Sequence, residues 1–338
     1  MRRFRTWFNW KRRLLVWLGM LVLVAGLVAW MVVMPGKSHR GELAPLTADE
    51  QALASELEAH VRELAETIGP RNNHTLAAQQ GKTSELDRAA AYIEERLPGP
   101  VRRQSYKTGG REYANLEARV GSGPAVVIVG AHYDSYPGTP GADDNASGVA
   151  ALLALAARVK DPGCELRFVA FTNEEPYFFQ TEEMGSLVYA RECRSKNEPV
   201  RAMLSLETMG YYDERTGSQH YPFPLGVLYP DRGDFVAFVG NVSSRELVHR
   251  SVESFRRQVR FPCEGAALPS RLPGVGWSDH WSFWQVGYPA LMVTDTAPFR
   301  NPHYHQMEDT PDKLDYTRMA RVVAGLELVL RELCGASR

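Results

Sequence analysis

Cysteine is scarce in this chain. The four present, Cys164, Cys193, Cys263 and Cys334, are scattered, with no CxxC pair and no zinc-finger spacing, so they do not make a metal site. An oxidising compartment would permit a disulfide, and Cys164 can pair with Cys193 if the strand after Cys164 returns through a helix ending near Cys193. Buried free thiols are the equal reading. A basic excess is also missing: Lys+Arg number 39 against Asp+Glu 40, a net charge of -1, which argues against nucleic acid as a partner. Internal repeats and low-complexity tracts are lacking too. What is left is a 338-residue chain, 44% hydrophobic, able to bury a full core as one large domain or two small ones.

Charge is absent from one stretch in particular. From Leu14 to Met34, "LLVWLGMLVLVAGLVAWMVVM" holds no ionisable residue and would span about 30 Å as a helix, the thickness of a bilayer's hydrocarbon core. Arg2, Arg3, Arg5, Lys11, Arg12 and Arg13 precede it, and only Lys37 and Arg40 follow closely. The positive-inside rule therefore puts the N-terminus in the cytoplasm and the rest of the chain in the periplasm or outside the cell. A cleaved signal peptide is the rival, but this run is too long and ends in bulky residues. The expected organisation is a basic segment over 1–13, a transmembrane anchor over 14–34, a linker over 35–46 and a catalytic domain over 47–338.

Beyond the linker, Thr47 with Glu50 makes a capping-box pattern, and Leu53, Leu57, Val61, Leu64 and Ile68 recur at helical spacing. A second helix is expected from Ser84 to the Pro98–Gly99 stop. Past Pro100, apolar strands alternate with helices. "EYANLEARV" and "PAVVIVGAHYD" read as neighbouring strands, followed by a helix at "NASGVAALLALAARV", a strand at "CELRFVAFTNEE", a helix at "TEEMGSLVYAREC" and a strand at "VRAMLSLETMG". "PFPLGVLYP" is a further candidate element; a helix from Ser244, a strand at "YPALMVTDT" and a helix from Tyr316 complete the series. This pattern predicts an α/β three-layer sandwich, its mixed, mostly parallel sheet covered by helices and preceded by one N-terminal transmembrane helix. Residues 208–224 and 261–278 read as loops long enough to build a pocket.

In open α/β sheets, ligands bind beyond the carboxyl ends of the strands. His132 and Asp134 follow one strand, with Asp143 and Asp144 in its loop. Glu174 and Glu175 follow another, Glu207 ends a third, and His303 and His305 lie beyond a fourth. Carboxylates gathered there repel each other and are costly to desolvate unless a cation neutralises them. Two imidazoles with several carboxylates suit Zn²⁺, and the carboxylates outnumber what one tetrahedral ion can use. Two ions sharing a bridging carboxylate and a bridging water are therefore expected.

"AHYDS", "GADDNASG", "NEE", "SLETMG", "SDH" and "YHQMEDT", in that order over 125–310, resemble the co-catalytic zinc aminopeptidase family, which also contains glutamate carboxypeptidases and glutaminyl cyclases. The resemblance implies that His132 binds one zinc, oriented by Asp134, and that Asp144 bridges two ions. It further implies Glu174 as general base, Glu175 as a ligand of the other zinc, Glu207 as a ligand of the zinc held by His132, and His305 as the last ligand. Elementary geometry agrees with these roles: in an extended segment His132 and Asp134 point the same way, so the carboxylate can fix the imidazole tautomer. Glu174 and Glu175 are adjacent and point differently, leaving one free to take a proton from a metal-bound water.

Glu207 departs from the family pattern, in which aspartate is the usual ligand. In "HYH", His305 is favoured over His303. Asp143 reads as a loop or helix-capping residue; Asp279 and His280 read as substrate contacts or, equally, as part of a helix start capped by Ser278. Trp281, Phe283 and Trp284 read as core. The expected function is a membrane-anchored zinc metallopeptidase, an exopeptidase that takes a peptide or amino-acyl substrate and removes N-terminal residues. A one-zinc glutaminyl cyclase-like acyltransferase and a non-catalytic binding domain are the alternatives.

Overall fold

The computed structural model describes residues 2–72 and 83–335. Helix α1 spans Arg2–Val32. It contains Trp10–Val32, among the described residues the single helix long and apolar enough to cross a membrane, although a signal sequence would pass the same test. It ends two residues before the apolar run does, ahead of Pro35, and Met34 is buried.

Thr47 starts α2 (Ala48–Arg62) through the expected capping box, the Glu50 N–H donating to Thr47 Oγ1 at 3.2 Å and the Thr47 N–H to Glu50 Oε2 at 2.8 Å. Leu53, Leu57 and Val61 line its buried stripe. Ser84 and Asp87 repeat the device at α3 (Glu85–Arg96).

Eight strands form one sheet: β1 (Arg102–Thr108), β2 (Arg111–Val120), β3 (Val126–His132), β4 (Glu165–Phe171), β5 (Val200–Glu207), β6 (Val236–Asn241), β7 (Cys263–Leu268) and β8 (Ala290–Thr294). Their order is β1-β2-β4-β3-β5-β8-β6-β7. The central run β4-β3-β5-β8 is parallel throughout; β1-β2, β2-β4 and β8-β6 are antiparallel. Three expectations are corrected here. β2 and β3 are not neighbours, because β4 inserts between them and pairs with both. Residues 261–278 are not all loop, since they contain β7, which pairs with β6. "PFPLGVLYP" forms only a short turn of helix at Leu225–Val227, outside the sheet.

Strand alternation builds a core on each face. Val127, Val129 and Ala131 of β3 face the larger one, with α2, α3, α4 (Gly148–Arg158), α6 (Arg245–Gln258) and α8 (Tyr316–Cys334). Val126 and Ile128 face the other, with α5 (Gly185–Ser195) and the short α7 (His280–Gln285). This three-layer arrangement also decides the disulfide. Cys164 and Cys334 lie in the larger core and are bonded to each other, whereas Cys193 lies across the sheet and is a buried free thiol, as is Cys263. Of the two readings, the Cys164–Cys193 pair is corrected, because the sheet separates its members, and the buried free thiol holds for Cys193 and Cys263.

The segment after α1 lies against the folded body. Arg256 donates to the carbonyls of Met34, Pro35 and Gly36, and the Cys263 N–H donates to Ser38 Oγ at 3.0 Å.

Candidate metal centre

The carboxyl ends of β4, β3, β5 and β8 lie side by side, and each delivers ionisable residues to one rim. His132 is the last residue of β3 and Glu207 the last of β5. Glu174 and Glu175 follow β4, while the chain beyond β8 brings His305 back. Three residues flanking these groups sit in the left-handed region, Asn173 (φ 59), Thr208 (φ 46) and His305 itself (φ 58). Each such conformation costs on the order of 1 kcal/mol or more and turns the chain sharply where a side chain must be aimed.

Two groups of potential ligand atoms meet at Asp144. His132 Nε2 lies 3.3 Å from Asp144 Oδ1 and 3.3 Å from Glu207 Oε2. His305 Nε2 lies 3.0 Å from Asp144 Oδ2 and 3.6 Å from Glu175 Oε2. Within each set of three, the ligand atoms all lie within 4.8 Å of one another. Glu174 belongs to neither set, although its Oε2 is 4.0 Å from His132 Nε2. The extra methylene of Glu207 is accommodated, its carboxylate reaching the group and accepting a 2.7 Å hydrogen bond from Ser278 Oγ.

Asp144 is aimed by its loop. Its own N–H and that of Asp143 donate to the two carboxylate oxygens of Asp309, at 3.1 and 2.9 Å. Asn145 fastens the loop to β5, its Nδ2 donating to the Leu206 carbonyl at 2.9 Å while Oδ1 accepts from the Gly148 and Thr208 N–H groups. A Cβ at Gly141 would stand 2.2 Å from the Asp144 carbonyl oxygen, so only glycine allows the loop to fold back. Beneath it Arg71, fully buried, donates to the Pro140 and Gly141 carbonyls at 2.5 and 2.7 Å.

Asp134 sits behind His132. Nδ1 of the imidazole is 3.2 Å from the Asp134 carbonyl oxygen and 3.6 Å from its Oδ1, and the carboxylate accepts the Glu174 and Glu175 N–H groups at 3.1 and 3.0 Å. One aspartate thus holds both the imidazole and the neighbouring glutamate pair. His305 is stacked between Tyr136 and Tyr304, ring centroids 4.0 and 3.8 Å away. His303 points elsewhere, edge-on to Tyr211.

The charge problem is severe. Burial, aided by the Asp144 and Glu174 charges, pushes the Glu175 carboxyl well above its ordinary range. Burial does the same to Glu174, with His132 opposing it and Glu207 adding to it. Burial alone would depress the His132 imidazolium, but the carboxylates of Glu174 and Glu207 outweigh it and raise it well above the ordinary value. Asp144 is shifted down despite its burial, because both imidazoles lie against it. His132 Nε2, His305 Nε2 and Glu175 Oε1 are buried with no hydrogen-bond partner. Orphaned nitrogens and oxygens converging at two points, amid excess negative charge, fit divalent cations with nitrogen and oxygen ligands.

Several residues take places that spacing alone does not reveal. Asp143 is no exposed loop residue: fully buried, it accepts the Gly210 N–H at 3.0 Å and Asn301 Nδ2 at 2.8 Å, tying two distant loops together. Ser278 does not cap α7 with its side chain, which is spent on Glu207. Asp279 is fully buried, and burial lifts its carboxyl to about 7 beside His132 and Glu207. His280 faces away, Nε2 2.8 Å from the Val275 carbonyl oxygen, and Phe283 is core as expected. Arg71 carries no sequence signal beyond an isolated charge, and Asp309, though it lies in the motif "YHQMEDT", is given no role there.

Beside Glu207 opens an apolar cleft of about 790 Å³, counting its mouth. Tyr221, Leu225, Phe235, Val239, Trp277 and Phe299 are among its walls, which draw on β6, β7 and the loops beside them.

The profile of "Peptidase family M28" matches residues 114–329, a span that carries all seven residues of the rim. The chain belongs to that family. Membership makes it a metallo-exopeptidase, a hydrolase of peptide bonds. It is 40% identical over 295 residues to the "Uncharacterized protein YfbL" of Escherichia coli, covering 82% of this chain and 88% of that protein. "Leucine aminopeptidase 1" of Trichophyton equinum is 30% identical over 61% of this M28 chain, which spans about half, 54%, of the fungal protein. Among solved structures, LapB from Legionella pneumophila superposes with a TM-score of 0.65 at 19% identity, covering 93% of this chain and 81% of LapB. A glutaminyl cyclase from Porphyromonas gingivalis gives 0.59 at 18% identity, covering 82% and 98%. At such identities these two report the shared fold.

Proposed function

We propose that the chain is a membrane-anchored aminopeptidase with two zinc ions per chain, one held by His132, Asp144 and Glu207, the other by Asp144, Glu175 and His305. The observation that carries this reading is the convergence of two ligand groups on the opposite oxygens of a single buried carboxylate. Zinc, when bound, supplies a Lewis acid that polarises the scissile carbonyl and acidifies water. The protein does the rest. Glu174, raised in proton affinity and outside both groups, takes the proton of the attacking water. As the carbon–nitrogen bond breaks, it returns that proton to the departing amine. Asp134 keeps the His132 ring turned so that Nε2 faces the site. The apolar cleft beside Glu207 accepts an apolar side chain next to the scissile bond.

Retention of α1 as an anchor is supported by what cleavage would forfeit. Met31 and Val32 pack against the body, and the carbonyls of residues 34–36 are held by Arg256. By the positive-inside rule, the basic residues at 2–13, ahead of the apolar run, favour an N-terminus in the cytoplasm and a peptidase in the periplasm or outside the cell.

The test is Glu174→Gln in the full chain, assayed on N-terminal leucine peptides with metal counted by mass spectrometry. The rate should fall on the order of 10²- to 10⁴-fold while metal content stays the same. An undiminished rate sinks the mechanism. Pyroglutamate formation from glutaminyl peptides with one ion per chain would replace it with the cyclase reading.

A further inference from the structure

Outside α1, the two most exposed large apolar side chains among the described residues belong to one loop, while Tyr177 and Met307 stand exposed elsewhere. Phe223 and Val227 are 94% and 84% exposed on the loop after Pro222, Leu228 is next to them, and Val242 stands exposed on the turn that leads into α6. Soluble proteins seldom leave such groups uncovered without a partner.

The place of this loop is fixed by the same residues that fix the end of α1. Leu225 and Tyr229 pack on Ala266, Leu268 and Val275, and so do Met31 and Val32. The Tyr229 hydroxyl donates to the Gly265 carbonyl at 2.8 Å. Val227 and Leu228 line a groove with Ser38, His39, Arg40 and Gly41, the residues just past the helix. On the other flank, Arg245, the residue right after the turn that carries Val242, donates to the Trp30 carbonyl at 2.7 Å and lies over the Trp30 ring. The exposed side chains therefore stand around the last turn of α1, where a spanning helix leaves the hydrocarbon.

We propose that residues 222–228, together with Val242, form a second membrane contact, seated in the interface of the leaflet that α1 exits. Aromatic and aliphatic side chains with arginines close by are the chemistry that the headgroup boundary accepts. The loop also supplies Tyr221, Pro222 and Leu225 to the apolar cleft, so this contact places one wall of the cleft on the lipid surface. Substrates are then chains presented at the bilayer, their apolar residue entering along the membrane plane. The inference rests on the anchor reading of α1.

The full chain, reconstituted in phosphatidylcholine/phosphatidylglycerol vesicles, decides it. An environment-sensitive fluorophore is attached at Phe223→Cys, Val227→Cys, Val24→Cys within α1, and Glu95→Cys at the far edge of the sheet. The parent chain, whose free thiols Cys193 and Cys263 are buried, sets the labelling background. The expected result is a blue shift and loss of emission to nitroxide-bearing lipid at 223, 227 and 24, with none at 95. Quenching at 24 but water-like emission at 223 and 227 overturns the second contact and leaves the anchor standing. A blue shift at 223 and 227 without lipid quenching means that a protein surface covers the loop, which overturns it also. No quenching at 24 removes the anchor, and the contact with it.

Discussion

His132 and Glu207 are each the last residue of a buried strand, whereas Glu175 and His305 arrive on the loops that follow β4 and β8. The first pair is placed by ladder hydrogen bonds to β4, β5 and β8 and locked by Asp134 and Ser278. In the second pair Glu175 is buried and its N–H is held by Asp134, whereas His305 is placed by ring stacking and its own left-handed turn, and its side chain is 26% exposed against 1% for His132. Two ligand groups that share Asp144 are thus built to different stiffness. Ligands on rigid elements hold a metal geometry more firmly than ligands on loops, so the His132 group should bind tightly and the His305 group exchange.

The strongest way to break this contrast is to remove what the groups share. Asp144→Ala should empty both positions and abolish peptide hydrolysis, read by metal analysis together with the rate; retention of one firmly bound ion would show that the groups are independent. Next come the single-group variants. His305→Ala should leave one ion per chain that resists mild chelation, while His132→Ala should lose the tight ion and leave only a readily stripped one. Equal chelator sensitivity in the two variants would abolish the distinction.

Protons offer a gentler probe. His132 and Glu175 both hold protons to higher pH than usual before metal arrives, Glu175 because of burial and its carboxylate neighbours. Metal must displace those protons, so loading should release acid and affinity should rise from pH 5 to pH 8. Calorimetry in buffers of different ionisation enthalpy measures the release; a pH-independent affinity would contradict the shifts. The smallest effect belongs to the stacking. Tyr136→Leu should weaken the His305 group about 3- to 10-fold, the equivalent of about 0.5–1.5 kcal/mol of ring contact, with the other ion undisturbed.

The strand-borne group was the more legible from the chain itself, since an apolar run ending in histidine or glutamate is a local signal. Glu174, Glu175 and His305 could be placed at the same rim because their strands were also recognisable. Strand order was not legible: whether β2 pairs with β3 or with β4 depends on partners far apart in sequence, and both pairings suit the same alternation. β6 and β7 went unread because "VAFVGN" and "CEGAAL" are short, and glycine and alanine dilute the strand signal in them. The cysteine pairing needed to know which side of the sheet each thiol faces. Asp143 reads as a loop or helix-capping residue, Asp279 as a substrate contact or part of a helix start, and Arg71 as an isolated charge; that all three are fully buried depends on how the fold closes over them.

The Cys164–Cys334 bond, 170 positions apart in the chain, closes a covalent ring at the start of β4 and the end of α8. Glu174, Glu175, Glu207 and His305 lie inside the ring, and His132 and Asp144 outside it. The exposed loop at Phe223 and Val227 lies on the ring as well. A protease that cuts there opens the circle into one branched molecule, two chains joined by the disulfide, so the nicked enzyme keeps all its parts. After reduction, the same single cut leaves the C-terminal piece that carries His305 joined to the rest only by non-covalent contacts, the pairing of β8 with β5 and the packing of the core among them, so it separates on unfolding.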